Sequence, residues 1–147
     1  MTAPISFTPS TIPYDPPTKY VLAVIPKPGS VLDAVTIYFP NVAALIRKAN
    51  QQKLYTTDNP VTLIISQSFV FDSLISTSTA VNMCRSMTIN RNLNIEALHY
   101  SPIFKLRTLN DPSNVIVSTD THGIIRINGN PILYSIECTN GTIHVLT

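Results

Sequence analysis

The eleven residues ECTNGTIHVLT, positions 137–147, contain the clearest fold signal in the chain. Asn and Gly both tolerate the positive φ angles that a tight turn requires, so Asn140-Gly141 predicts a β-hairpin. Residues 142–146 follow as a run of β-branched and aliphatic side chains around His144, which predicts a strand. We therefore expect the protein to end in a β-hairpin with a histidine in its second strand.

The same β pattern extends back to position 103. Short segments of alternating or β-branched residues, separated by turn residues, lie at 104–109, 115–118, 124–127 and 132–136. The third of these segments leads into Asn128-Gly129, a second hairpin signal of the same type. Short, closely spaced strands of this kind predict an antiparallel β-sandwich or barrel in the second half of the chain.

The first half of the chain predicts helices. Ser30 and Asp33 have the spacing of a capping box, in which each side chain accepts a hydrogen bond from the other residue's backbone N–H at the start of a helix. A second helix is expected to open at Pro40 and to end near Lys53. Its apolar residues recur at helical spacing: Val42, Leu45, Ile46 and Ala49.

One strand and two short helices are expected between these helices and the late β region. Residues 61–71, VTLIISQSFVF, are β-branched and aromatic, which predicts a buried strand that runs into a second element. Short helices are expected around 80–87 and 95–99. Because helices come first and strands last, the whole domain is predicted to be α+β.

Residues 1–30 differ in composition from the rest, because seven of the twelve prolines lie there. Prolines at this density disfavour helix and favour an extended, polyproline-like arm, with one short strand at 20–25. Composition leaves two interpretations open, a disordered tail and an arm held by a neighbouring subunit. The arm carries more apolar side chains than a solvated linker needs: Ile5, Phe7, Ile12, Tyr14 and Tyr20.

Composition also limits the classes of function. A chain of 147 residues suits one domain with a core. Charged residues make up 12% of it, and the net charge of +2 comes from scattered Lys and Arg, so no nucleic-acid binding is expected. No apolar segment approaches the roughly 20 residues of a membrane-spanning helix, and the N-terminal sequence lacks the features of a secretory signal. We expect a protein made in the cytoplasm, with a surface suited to permanent contacts.

The residues that usually carry chemistry are dispersed along the chain. His99, His122 and His144 are separated by more than 20 residues each, which is not a metal-binding spacing. Cys84 and Cys138 form no CxxC motif, and they are either buried hydrophobes or a disulfide pair. The eight carboxylates include no close pair for acid–base catalysis. We therefore expect neither an enzyme nor a cofactor.

Taken in order, these motifs resemble the fasciclin domain over residues 31–147. The closing blocks of that family, of the types V-N-G-x-x-V and S/T-N-G-x-I-H-V, match the late part of this chain at Ile127, Asn128, Gly129, Ile132, Thr139, Asn140, Gly141, Ile143, His144 and Val145. The resemblance implies a fasciclin-like α+β fold, with helices packed on an antiparallel β-sandwich or barrel. It also implies that His144 has a structural role.

Two further blocks of the family are less well matched. The family's first block, which ends in phenylalanine, corresponds to Thr62, Leu63 and Phe71, but Ile65-Ser66-Gln67 stands where the family has Ala-Pro-Thr. Family members often carry a Tyr-His pair implicated in adhesion, and this chain has the reversed order His99-Tyr100. These two residues are the candidates for an adhesion motif.

The resemblance implies a non-enzymatic interaction module, because fasciclin domains act in adhesion. Our first hypothesis is a virion minor capsid (cement) protein of a large DNA virus, in which the arm of residues 1–30 binds neighbouring subunits. Its partners would be the major capsid protein or other minor capsid proteins. The alternative is an extracellular cell-adhesion domain with a glycan on Asn140 and a disulfide between Cys84 and Cys138. A third class is a small-molecule carrier that uses the mouth of the barrel.

Overall fold

The structure, a computed structural model, describes most of the chain: residues 24–25, 29–56, 60–98, 103–110 and 114–147. The adhesion candidates His99 and Tyr100 lie outside these residues. So do the apolar side chains of the predicted arm, which are Ile5, Phe7, Ile12, Tyr14 and Tyr20. The described elements include both helices and a large sheet, and the predicted α+β class is confirmed.

The first helix, α1 at Val31–Tyr38, begins as the capping box predicts. The Ser30 hydroxyl accepts a hydrogen bond from the Asp33 N–H at 3.1 Å. In return, the Asp33 carboxylate accepts one from the Ser30 N–H, also at 3.1 Å. Backbone N–H groups that have no partner inside the helix are thereby satisfied, which fixes where α1 starts.

Loss of this cap gives a first test. Ser30→Ala is expected to lower the free energy of unfolding by about 1 kcal/mol, because the Asp33 N–H loses its acceptor. Ser73→Ala is the control: Ser73 is exposed in a loop, and its effect should stay within about 0.5 kcal/mol. Urea unfolding followed by circular dichroism measures both variants. Equal stability of the two would contradict the role of the cap.

The second helix ends earlier than predicted. α2 covers Pro40–Ala49 and α3 follows at Gln52–Thr56, so the prediction of one helix to near Lys53 is wrong. The break lies at Asn50, whose left-handed φ of 57° ends the α-helical repeat. Asn tolerates this conformation better than most side chains, which explains why α2 stops there. The predicted apolar face of α2 is buried at Val42, Leu45, Ile46 and Ala49.

Two more helices and eight strands complete the described elements. α4 covers Thr77–Ser86 and α5 covers Ile95–Leu98, close to the predicted positions. The strands are β1 (Val24–Ile25), β2 (Val61–Ser66), β3 (Thr88–Ile89), β4 (Ile103–Arg107), β5 (Asn114–Thr119), β6 (Ile125–Ile127), β7 (Asn130–Cys138) and β8 (Gly141–Leu146). The late β region therefore begins and ends where the sequence pattern predicts.

The strand β2 is shorter than the predicted segment 61–71. It ends at Ser66, and a turn follows at 67–68. The Ser66 hydroxyl accepts a hydrogen bond from the Ser68 N–H at 3.3 Å, and such local bonding by serine competes with strand pairing. Phe71 consequently lies in the loop rather than in a strand, where it is half-buried against the hydrophobic core.

The late strands β4 to β8 pair antiparallel, as predicted for the second half of the chain, but the sheet as a whole is mixed because the earlier strands β1 and β2 join it in parallel. The strand order is β3-β2-β8-β7-β6-β5-β4, and β1 also pairs with β7. The pairs β2–β8 and β1–β7 are parallel, and the others are antiparallel. Parallel pairing of β2 with β8 is possible because the chain between them supplies the long crossover that it needs.

The sheet is nearly closed into a barrel. The Leu109 N–H, just after β4, donates to the Thr88 carbonyl of β3 at 2.9 Å, so the two ends of the strand order meet. Aliphatic side chains fill the interior: Ile64, Ile89, Leu93, Leu98, Leu106, Val115, Val117, Ile125, Ile127, Ile132 and Leu146. A second core lies between the outer face of β2, β7 and β8 and the helices. Because β8 has a core on each face, it is buried along its whole length.

The two Asn-Gly pairs differ in conformation. At Asn128-Gly129 the φ angles are 51° and 85°, and β6 pairs with β7 directly across this turn, as the hairpin signal predicts. At the second pair the hairpin is present, but the turn lies one residue earlier, at Thr139-Asn140. Neither Asn140 nor Gly141 has a positive φ, so the reason inferred for this pair is wrong.

A close approach between strands explains Gly141 instead. Gly141 is already the first residue of β8, where it pairs with Cys138 of β7 and with Val61 of β2. A Cβ atom at this position would overlap the carbonyl oxygen of Val61. Only glycine lets the backbones of β2 and β8 approach so closely.

Candidate functional site

His144 is the most conspicuous side chain of the closing motif, and it is completely buried. Its Nδ1 lies 2.7 Å from the Ser135 hydroxyl on β7, and its Nε2 lies 2.6 Å from the Leu93 carbonyl oxygen. Because a carbonyl oxygen can only accept, Nε2 carries the proton and Nδ1 accepts the hydrogen of the hydroxyl. Both ring nitrogens are therefore engaged within the fold.

Burial keeps this imidazole neutral. Desolvation of the charged form lowers the pKa of His144 to about 4, although the hydrogen bond to the Leu93 carbonyl opposes the shift. A general base at neutral pH needs a pKa near the working pH and access to a substrate proton. His144 has neither, and its hydrogen bonds instead connect β7 and β8 to the loop at residues 91–93.

Two threonines hold the same loop. The Thr62 hydroxyl donates to the Arg91 carbonyl at 2.6 Å and accepts from the Leu93 N–H at 2.7 Å. The Thr142 hydroxyl donates to the Asn92 side-chain oxygen at 2.7 Å. Sequence reasoning selected Thr62 as a motif residue but missed the loop that it binds. The only local signal is one threonine in each of two mainly aliphatic strands.

Asn140 joins three parts of the fold. Its side-chain oxygen accepts a hydrogen bond from the Val31 N–H at the start of α1, at 2.8 Å. Its Nδ2 donates to the Tyr55 carbonyl in α3 at 2.9 Å. An N-linked glycan would be attached at this same nitrogen. Because Nδ2 is already bound within the fold, Asn140 is poorly placed to carry a glycan.

The cysteines are free thiols in the structure, and both are buried. Burial raises the pKa of Cys84 and the pKa of Cys138 to about 11 each, so both thiols are protonated at neutral pH. Their positions in the helix-side core favour buried hydrophobes over the disulfide that the sequence left open.

A groove lies between the end of β2 and α4, hereafter the β2–α4 groove, with a cavity volume of about 430 Å³. This volume is within the range of binding pockets. Its apolar walls and polar rim include Ile64, Phe69, Met83, Met87, Ser66 and Asn82. None of the described residues that line it is charged. Sequence reasoning missed this groove, and the available signal was the pair Met83 and Met87, one helical turn apart.

Apolar side chains extend beyond the β2–α4 groove. Phe69 also borders a smaller cavity of about 140 Å³, together with Tyr38 and Phe39. In the loop at 67–76, Val70 is 76% exposed and Leu74 is 91% exposed. Exposed apolar side chains next to a groove are typical of a surface that contacts another polypeptide.

The histidines do not come together into a site. His144 is buried, His122 is exposed in a turn, and His99 lies outside the described residues. In the part of the chain that the structure describes, no group of three or more His, Cys, Asp or Glu side chains could hold a metal ion. None of the described helices combines the length and the apolar character needed to cross a membrane.

Comparison with known proteins gives no relative from which a function could be transferred. The chain matches no protein-family model, and a search of curated proteins gives no significant match. The functional inference therefore depends on the β2–α4 groove, the polar network around His144 and the attachment of the arm.

Proposed function

We propose that this chain is a non-enzymatic structural protein of a large assembly, and specifically a virion minor capsid (cement) protein with a fasciclin-like domain at residues 31–147. It is made in the cytoplasm and resides in the virion. The proline-rich arm, residues 1–30, is its binding element, and its partners are the major capsid protein or other minor capsid proteins. The folded domain holds the end of the arm and separates the subunits that the arm connects.

The observation that carries this proposal is how the end of the arm joins the sheet. β1 pairs in parallel with β7 at Ser135 and Ile136. A few residues later, the Gly29 carbonyl accepts a hydrogen bond from the Thr139 N–H at 2.8 Å. A pulling force on the arm would be transmitted through these hydrogen bonds to the sheet. An arm that holds two subunits together requires such an attachment.

The surface composition supports the same proposal. Only 12% of the residues are charged, against the roughly 25% that is usual. Protein–protein interfaces are depleted of charge at their centres and enriched in aromatic residues and Met. The β2–α4 groove, which is lined by Phe69 and two methionines, has this character, and Val70, which follows Phe69 in the chain, is exposed.

The alternative, an extracellular cell-adhesion domain, has less support. It predicts a glycan on Asn140, but the nitrogen that would carry the glycan donates to the Tyr55 carbonyl. It also predicts a disulfide, but Cys84 and Cys138 are buried free thiols. A carrier of small molecules in the mouth of the barrel is also less well supported, because aliphatic side chains fill the barrel interior.

Sedimentation of particles from the natural source tests the proposal. The test variant keeps the full arm but replaces its apolar side chains with serine at Ile5, Phe7, Ile12 and Tyr14. We expect the wild-type protein to co-sediment with a large particle on a density gradient, and this variant to remain as free protein. The control variant changes polar arm residues to alanine, at Ser6, Ser10 and Thr11, and should still co-sediment.

Either of two results would contradict this proposal. Wild-type protein that migrates free of any particle would overturn the capsid function and favour the adhesion domain. Equal co-sedimentation of the serine variant and the wild type would show that the arm is not the binding element.

A further inference from the structure

We propose that the β2–α4 groove is the receptor for the arm, residues 1–23, of a second copy of this chain. The inference rests on the proposed function, because it takes the arm as the binding element and assigns what the arm binds. Three observations support the assignment: the apolar lining of the groove, the end of the sheet at which the arm leaves the domain, and the length of the arm.

The arm and the groove match in chemistry. Residues 1–23 of the arm offer aliphatic and aromatic side chains between prolines, and the only charged side chains among them are Asp15 and Lys19, which cancel. The groove presents Phe69, Met83 and Met87 and no charged residue. Met side chains adapt their shape to irregular partners and make favourable contacts with aromatic rings. An apolar, uncharged groove therefore suits an apolar arm without net charge.

The shape of the groove suits an extended segment. β3 pairs with only Thr62 and Leu63 of β2, so the last part of β2 has no strand neighbour on that side among the described residues. There the Ile64 N–H bonds the Met87 carbonyl at 2.8 Å, and the groove opens beyond it. A polypeptide that lies along this side runs beside the last residues of β2 and covers the groove side chains Phe69, Met83 and Met87.

The arm leaves the domain at the end of the sheet where the groove opens. Because β1 runs parallel to β7, its first residue lies toward the end of the sheet where β7 starts. At that end Ile132 of β7 pairs with Leu146 of β8, which is in register with Ser66 of β2. Ser66 is part of the groove. The arm of each copy therefore departs from the same end of the sheet at which its groove opens.

The length of the arm favours the groove of another copy over its own. Along the sheet, β2 lies three strand spacings from β1, about 14 Å at roughly 4.8 Å per spacing. Tyr14 precedes Val24 by ten residues, and Phe7 precedes it by seventeen, which correspond to about 31 Å and about 53 Å in a polyproline-like chain. Pro16 and Pro17 lie between Tyr14 and Val24, and prolines disfavour conformations in which a chain folds back on itself. In such a chain Ile5, Phe7, Ile12 and Tyr14 would reach past their own groove.

This arrangement is a head-to-tail contact, in which the arm of one copy occupies the groove of the next. Such an interface uses two different surfaces on each subunit, so it forms rings or extended rows rather than a closed pair of identical contacts. Each copy within such a row would contact two other copies of this chain.

Mixing two complementary full-length variants tests the inference. The arm variant carries serine at Ile5, Phe7, Ile12 and Tyr14, and its groove is intact. The groove variant carries Asn82→Trp, which places a large ring at the exposed rim, and its arm is intact. The matched control is Thr77→Trp, an exposed position on α4 that does not line the groove. Circular dichroism and urea unfolding establish that each variant is folded.

Analytical ultracentrifugation gives the readout. We expect wild type and Thr77→Trp to associate as concentration rises, and each of the two variants alone to stay monomeric. An equimolar mixture of the two should form a dimer, because one intact arm and one intact groove remain. A mixture that stays monomeric while both variants are folded, or wild type that is monomeric at every concentration, would overturn the inference.

The particle test separates this inference from the proposed function. If Asn82→Trp still co-sediments with the particle while the arm variant does not, the receptor lies on another protein, so the groove inference is wrong and the capsid function stands. If wild type does not travel with a particle but the mixed dimer forms, the capsid function is wrong and the groove inference stands.

Discussion

Acidification from pH 6.5 to pH 4 is expected to lower the free energy of unfolding by about 3 kcal/mol through His144 alone, since burial lowers its pKa from 6.5 to about 4. In the folded protein the imidazole stays neutral over this range. In the unfolded chain it binds a proton below pH 6.5. The contribution to stability is therefore complete above about pH 6.5 and is lost as the pH falls toward 4.

A non-titrating variant isolates this effect. His144→Gln removes the titrating group but keeps an amide that can donate to the Leu93 carbonyl. Urea unfolding at several pH values between 4 and 7 should show a flatter pH dependence in this variant than in the wild type. Carboxylates contribute equally to both proteins, so the difference between the two curves reports His144.

Two results would contradict the role assigned to His144. A His144→Gln variant with the same pH slope as the wild type would show that the folded protein binds a proton at this site as readily as the unfolded chain. A variant as stable as the wild type at pH 7 would show that the hydrogen bond between Ser135 and the imidazole Nδ1 contributes little.

Gly141→Ala is expected to lower the free energy of unfolding by about 3 kcal/mol, at the upper end of what overpacking costs. The added methyl group overlaps the Val61 carbonyl, which is backbone and not the mobile end of a side chain. Relief requires β2 and β8 to separate near the Val61 N–H, which donates to the Asn140 carbonyl at 3.1 Å. Differential scanning calorimetry and urea unfolding would measure the loss.

Gly129→Ala is the matched control because it alters the other Asn-Gly pair. Its φ of +85° strains any residue with a Cβ, but no atom lies within 4 Å of the added methyl group. The cost should be about 1 to 2 kcal/mol, the usual penalty for a left-handed conformation. If Gly129→Ala were the more damaging variant, the close approach of β2 to β8 would not be the main reason for a glycine at position 141.

Several features of the fold follow from neighbours in the sequence. The capping box at Ser30 and Asp33 forms as predicted, because its partners are three residues apart. The Asn128-Gly129 turn forms as predicted, because its two φ angles depend on the residues in the turn itself. In both cases the free energy of the local structure is set within a few residues, so the pattern is sufficient.

Other features depend on residues far away in the chain and were missed. The parallel pairing of β2 with β8 brings Val61 beside Gly141, and this contact, not the turn, explains the glycine. The β2–α4 groove exists because Met83 and Met87 meet the end of β2, and no local pattern brings these elements together.

The sequence by itself determined the β-rich second half, the helix starts, the arm rich in proline and the position of a histidine in the last strand. Tertiary structure decided the mixed topology, the partners of His144 and the apolar groove that the arm is proposed to enter. The physical reason is range: caps and tight turns gain their hydrogen bonds from neighbours in sequence, whereas burial, desolvation and strand approach depend on which distant segments the folded chain brings into contact.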